Sequence, residues 1–370
     1  MSKIFELYGY RLDMWDDVAQ QNMLRGWCPF MGDECDGGGN RYQSAIDIKS
    51  NPVLRKMIPN KDKVQCGVCS LQIHSGEQPW IVCPRRLLTA KGGIFTDQQS
   101  MVRNQLSEYS DLHKQGKYLI WSEVKIKTDV VTDEDEEKFF DYTFDYIIAA
   151  VAPVSLRDAV AIMGMPSAEI KKIAQKGNYT LTSRAGDVWI EDFPLDPIII
   201  IEVMTSSTSG GNKTKRTQIG MACEDAMLHG MKHEAPGINY RQVWARMVSQ
   251  LIVKSQVGMS WGGKTVWLVQ DLLADYISQT TALHLPEYMS NELNEVNILA
   301  FGYGDAIEKK DKNLISLKQS NLFAGPIQKN DKMHKLDGFV DIIKIGAPPP
   351  KEQIWKSLIG KSPLGIWKWN

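Results

Sequence analysis

The stretch Asp196-Pro-Ile-Ile-Ile-Ile-Glu-Val-Met-Thr-Ser-Ser-Thr-Ser-Gly-Gly211 decides the fold. Its isoleucine run, Ile198 to Ile201, reads as a strand buried on both faces. β-Branched side chains favour the pleated backbone, and only a core strand keeps such a run out of water. Glu202 follows directly, where an ionised carboxylate is costly unless a partner compensates it. The Ser/Thr/Gly loop behind it lets the backbone turn away. A carboxylate at the end of a core strand beside a polar loop can hold a metal or act as a base. It can equally be a structural acid paired with a lysine or arginine.

Upstream, Tyr118 to Lys127 alternates as a strand that places Glu123 on one face with Trp121 and Lys125. Phe139 to Val151 reads as a second, longer strand carrying Asp145, and the acidic run Asp133 to Glu137 between the two reads as a solvated turn. Helical patterns occupy Thr96 to Gly116, Leu156 to Met163 and Ala168 to Lys176. Trp189 lies in an extended segment leading into the isoleucine strand. Beyond the glycine loop come the basic cluster Lys213 to Arg216, a helix through Met227, and the clearest helix, Tyr240 to Gln256. The apolar stripe of that helix is Val243, Trp244, Met247, Val248, Leu251 and Ile252. Arg246, Gln250 and Lys254 form a second row, which suits a solvated face or a helix laid along a phosphate backbone. Thr265 to Gln270 and Val296 to Phe301 read as further strands, separated by a helix at Asp271 to Ile277, and Lys351 to Ile359 reads as a small capping helix. This alternation predicts an α/β fold with a mixed central sheet and flanking helices.

Hydrophobic residues make up 43% of the 370 positions and charged residues 24%, which places the chain among ordinary globular proteins. No run approaches the roughly 20 apolar residues that span a bilayer, and the first residues have no signal-peptide core, so a cytoplasmic protein is expected. A net charge of -1 leaves nucleic acid open as a partner, because a basic cleft can coexist with an acidic exterior.

The cysteines cluster: Cys28, Cys35, Cys66, Cys69 and Cys83 lie close in sequence, and Cys223 stands apart. In a reducing compartment this reads as metal ligation rather than disulfides. The surrounding segment, residues 28–95, is glycine- and loop-rich with little periodic apolar pattern, so a tetrahedral thiolate site supplies the stability that burial does not. Thiolates select zinc or iron over magnesium or calcium. Cys28, Cys35 and Cys83 fall in isolated knuckle-like turns, and Cys69 is preferred to Cys66 as the fourth ligand. Residues 1–27 are expected to pack across the body as an arm with a short helix.

Glu123, Asp145 and Glu202 are three strand-borne acids that can converge on one divalent ion. Hard oxygen ligands with room for water and phosphate describe Mg²⁺, which can polarise a phosphodiester and activate water for in-line attack. An aspartate followed by a buried strand carrying Glu-x-Lys is the PD-(D/E)xK nuclease pattern. Here the position two after Glu202 is Met204, whose thioether cannot orient a hydroxide. Lys125, Lys127, Lys213 or Lys215 could supply the amine from elsewhere.

Three segments resemble the NotI family of type II restriction endonucleases. The first is Cys28-Pro-Phe, continuing through Gly67-Val-Cys69 to Val82-Cys83-Pro. The second is Phe144-Asp145 with the upstream Glu123, and the third is Ile201-Glu202-x-x-Thr205 with its glycine loop. The helix Asn239 to Ser255 is also similar, and the resemblance runs patchily over residues 5–280. It implies an N-terminal arm and four-cysteine metal-binding segment over 1–95, holding iron or zinc, and a PD-(D/E)xK nuclease-like catalytic domain with a C-terminal extension over 96–370. It further implies a prokaryotic homodimer that cuts both strands of a palindromic site in double-stranded DNA with Mg²⁺. By position, Asp145 and Glu202 would hold Mg²⁺, Glu123 would be the additional acid, and Cys28, Cys35, Cys69 and Cys83 would bind the structural metal.

Two other readings compete. Met204 and the basic helix suit a non-catalytic, metal-stapled DNA- or RNA-binding protein. A hydrolase of small phosphoesters needs the same acids. Arg246, Lys254 and Lys213, with the loop Gly37 to Arg41, are the candidate DNA contacts.

Overall fold

The structure, a computed structural model, describes residues 2–38, 44–90, 97–110, 116–131, 137–184, 186–280, 283–327, 338–339 and 350–366. The chain begins with β1 (Lys3–Leu7) and β2 (Tyr10–Arg11), followed by α1 (Asp17–Arg25). Later come β3 (Val68–Gln72), β4 (Trp80–Ile81) and the single turn α2 (Pro84–Leu87). These strands form a small antiparallel sheet in the order β2-β1-β3-β4. The first residues are therefore a paired strand rather than an arm. Ile4 and Leu7 of β1 are fully buried on the apolar cluster of this lobe, while Glu6 is fully buried on polar partners.

The central sheet is built from β5 (Tyr118–Val131), β6 (Glu137–Ser155), β7 (Leu181–Arg184), β8 (Asp187–Met204), β9 (Lys264–Gln270), β10 (Val296–Gly302), β11 (Lys318–Gly325) and β12 (Gly365–Ile366). Its order is β11-β10-β9-β8-β6-β5-β12, with β7 also paired to β8. Strand β6 runs antiparallel to both its neighbours, β5 and β8, whereas β8, β9 and β10 run parallel. Parallel neighbours need crossovers. These are supplied by α3 (Tyr240–Ser260) between β8 and β9 and α4 (Asp271–Thr280) between β9 and β10. The fold is thus a mixed α/β sheet with flanking helices, and among the described residues no helix is long and apolar enough to cross a membrane.

The isoleucine run lies at the centre of this sheet. Ile199 and Ile201 face a core with Val266, Leu268 and Phe301, and Ile198 and Ile200 face one with Val257, Trp261 and Leu358. Burial of each such side chain stabilises the fold by about 1.5–3 kcal/mol. The helix α3 starts at Asn239, whose side chain accepts from the Gln242 amide at 3.1 Å. Near its end Gly258 passes so close to the sheet that a Cβ would meet Thr265 Oγ1 at 2.8 Å. That approach brings Lys254, one turn earlier on the same side, down onto the sheet.

Residues 28–95 show no clear apolar periodicity, yet in the structure they join a shared core. Ile4, Leu7, Ile46, Leu54, Val64 and Leu71 pack with Ala222, Cys223 and Ala226 of the helix Ile219–His229. The segment 1–95 is therefore completed by a helix from the expected catalytic part. Residues 39–43, which include most of the Gly37 to Arg41 loop, and 132–136, which include most of the acidic run, lie outside the described residues.

Candidate active site

Three acids meet at one level of the sheet because two strands slip phase there. Trp121 and Val124 face the same core, as do Phe144 and Ile147, although residues three apart on a regular strand face opposite sides. The register pairs Phe144 with Val124 and Tyr146 with Ser122, so Glu123 and Asp145 stand opposite each other at the slip. Glu123 has φ 51°, a left-handed conformation that costs a non-glycine residue about 1–3 kcal/mol and concentrates at functional sites. The expectation that Glu123 shares a face with Trp121 fails for this reason: Trp121 is fully buried, whereas Glu123 is exposed, as Lys125 is.

Asp145 is the next cross-strand neighbour of Glu202, one step beyond the Tyr146–Ile201 pair. The Val203 amide donates to Asp145 Oδ2 at 2.8 Å, and the Asp145 amide points at Glu202 Oε1 from 3.4 Å. Glu202 is 1% exposed. Its second oxygen accepts from Lys254 Nζ at 2.5 Å, and the same ammonium donates to the Thr143 carbonyl at 2.7 Å. Lys254 also lies 5.5 Å from the centre of the Phe144 ring. Burial, reinforced by the Asp145 charge, pushes the Glu202 carboxyl up to about 8, and Lys254 pulls it back only in part.

The sequence placed Lys254 in a row with Arg246 and Gln250 as a phosphate contact. In the structure Arg246 is exposed, but Lys254 is 4% exposed and turned onto the sheet. The amine that Met204 lacks therefore arrives from α3, across 52 residues of chain. Met204 itself is buried among Val243, Met247, Trp267 and Val269. Of the other lysines considered for the role, Lys125 pairs with Asp141 at 3.3 Å, and Lys213 and Lys215 sit exposed in the turn after the glycine loop.

A cavity of about 170 Å³ opens over Glu123 and Asp145, walled by Tyr146, Val203, Gly38, Pro84 and Arg85. Glu202 lies behind it. Arg85 was not foreseen. Its Nε donates to Asp36 at 2.9 Å and its Nη1 to the Tyr146 hydroxyl at 2.8 Å. The one signal for it was the basic pair after Cys83-Pro84. A larger cleft of about 680 Å³ lies between Ala45–Asp47, Thr208–Gly211 and the start of the helix at Ile219. Among the described residues it is lined by the acids Asp47 and Glu224 and by no lysine or arginine, so it suits a phosphate less well than the smaller cavity.

Cys28, Cys69 and Cys83 fall in one buried cluster with Phe30 and Met31, and Cys35 packs against it. Local turns place them. The pairing of Trp27–Cys28 with Asp33–Glu34 closes the first knuckle, and the Val82 and Cys83 amides both donate to the Cys69 carbonyl, at 3.0 and 3.2 Å. Cys66 belongs instead to the neighbouring core, where its thiol is hydrogen-bonded to Cys223. Burial and the neighbouring Cys83 push the Cys28 thiol up to about 12. The Cys69 thiol is held up by its hydrogen bond to Cys83, which is lowered by that bond. Crowded thiols of this kind resist ionisation unless a cation compensates them, so the donor set suits iron or zinc. Among the described residues, neither the thiols nor the carboxylates form a ready-made group of three cation ligands.

No protein-family model matches this chain, and no curated protein is detectably similar to it.

Proposed function

We propose that this chain is a type II restriction endonuclease, hydrolysing phosphodiesters in double-stranded DNA with Mg²⁺ on a PD-(D/E)xK-like core. The observation that carries the reading is the contact between Lys254 and Glu202 beside Asp145. It restores the amine of a Glu-x-Lys motif from a helix, at the place where the strand offers only Met204. The oxygen donors suit a hard divalent ion, with Asp145 and Glu202 as its ligands and Glu123 as the further acid. When bound, Mg²⁺ polarises the phosphodiester and makes water acidic enough to attack. Lys254 holds Glu202 in place beside Asp145. Glu123 and Asp145, at the slip, line the cavity that a phosphate would enter. The thiols Cys28, Cys35, Cys69 and Cys83 would hold structural iron or zinc, and a palindromic site calls for a homodimer. Arg246 and Lys213, both exposed, would make backbone contacts to the duplex.

A second reading, a non-catalytic metal-stapled DNA-binding protein, is favoured by the near-complete burial of Glu202 under Lys254. Incubation of the purified protein with diverse plasmid and genomic DNA separates the two. The nuclease reading expects discrete fragments with Mg²⁺ and none with EDTA. Uncut DNA in both, with salt-sensitive binding that Glu202→Ala leaves unchanged, would establish the binding protein instead.

A further inference from the structure

The carboxylate cavity has one cationic wall, and that cation comes from the thiol segment. Arg85 follows Cys83 by two residues, and its carboxylate partner Asp36 follows Cys35 by one. The two cysteine knuckles therefore deliver a clamped guanidinium to the edge of the sheet. Asp36 takes Nε and the Tyr146 hydroxyl takes Nη1. Among the described residues the second amino group, Nη2, has no acceptor. The side chain is 20% exposed and lines the cavity with Glu123 and Asp145.

A phosphate entering between two carboxylates is repelled unless cations offset them. A guanidinium whose other donors are already fixed presents its free edge without losing further side-chain entropy, and its planar fork matches phosphate oxygens. Tyr146 is buried on β6 next to Asp145, so the arginine's anchor and the acid move as one piece of backbone.

We infer that Arg85 binds a DNA phosphate at the carboxylate cavity, held in position by Asp36 and Tyr146, and that the cysteine segment acts as the frame that sets this contact. The inference rests on the nuclease reading, because it needs DNA at Glu123 and Asp145. It makes the thiol segment part of the cleavage machinery as well as of the fold.

The test pairs Arg85→Gln with single methylphosphonate substitutions, which remove the charge of one phosphate at a time, in a duplex carrying the mapped cleavage site. At saturating enzyme, the variant should cleave native duplex about 100-fold more slowly, with unchanged melting temperature and metal content. Neutralising one phosphate near the cut should slow the wild type by a similar factor and leave the variant no slower than before. Cleavage by the variant within threefold of wild type, or losses that multiply at every phosphate, would overturn the inference and leave the nuclease reading standing. Should Arg85→Gln not fold, Arg85→Lys keeps the charge and loses the fork. It should lose about 10-fold and show a weakened effect at the same phosphate; losses that multiply at every phosphate again overturn the inference. Absence of any Mg²⁺-dependent cleavage by the wild type removes the nuclease reading, and this contact with it.

Discussion

Two buried ion pairs, Glu6–Arg86 and Glu202–Lys254, show how one kind of interaction serves different ends. Both are closed off from water: Glu6 and Arg86 are fully buried, and the second pair is 1% and 4% exposed. Their surroundings differ. Glu6 accepts from Arg86 Nε and Nη2, from Ser70 Oγ at 2.8 Å and from the Tyr303 hydroxyl at 2.6 Å. Arg86 in turn donates to the Ile315 carbonyl at 2.8 Å and lies over the Phe30 ring. That pair is saturated, and it ties β1 to α2 and to the end of β10. Glu202 has one strong partner, a distant amide and a second carboxylate beside it. An ion pair whose lone pairs are all used is structural, whereas one left short of partners beside a cavity is available for chemistry.

Stability measurements should separate the pairs, and the largest effect is expected at the saturated one. Glu6→Ala leaves Arg86 buried without its counter-charge and should cost about 3–5 kcal/mol in urea unfolding. Lys254→Met should cost less, about 1–3 kcal/mol at pH 6, because burial already favours the protonated Glu202 carboxyl there and no uncompensated charge is left behind. Equal losses would erase the distinction drawn between them.

The saturated pair also borders the thiols, and the two cysteine environments sharpen the contrast. Cys69→Ser should lose most of the bound iron or zinc by elemental analysis, whereas Cys66→Ser, whose thiol partner is Cys223, should keep most of it. Equal loss in both would break the assignment of ligands.

The smallest effect is expected outside both pairs. His233 accepts from the Ile4 amide at 2.8 Å, and burial holds its pKa below the ordinary 6.5. The unfolded chain therefore binds the proton first. The stability from neutral His233 is complete above pH 6.5 and is lost as pH falls through the depressed folded value. His233→Gln should remove this part of the pH dependence, and an unchanged slope in pH-dependent unfolding would contradict it.

What the sequence made legible follows from the range of each interaction. Ile198 to Ile201 announce a central strand, because a run without alternation has no face to give to water. The helices at 156, 219, 240 and 271 follow from their apolar periodicity. Glu202 could be picked out by position, and Met204 could be recognised as a gap. The lysine that fills the gap could not, because Lys254 reaches Glu202 only through the crossover of α3 and the close approach at Gly258. The face of Glu123 was misjudged for a similar reason: simple alternation carries no warning of a slip shared by two strands. In β1 the buried acid Glu6 disguised a strand, since its partners lie 64, 80 and 297 residues away. Arg85 was hidden among residues whose cysteines drew the eye.

In the proposed nuclease, Lys254, Glu202 and Asp145 work as one catalytic group. Single-turnover cleavage of the mapped site with Mg²⁺ tests it most directly, comparing wild type with Lys254→Met and Glu202→Gln, each first shown to be folded. Wild type should cut at a discrete site, and each variant should be slowed about 100-fold or more while still binding the duplex. Cleavage by either variant at the wild-type rate would contradict it.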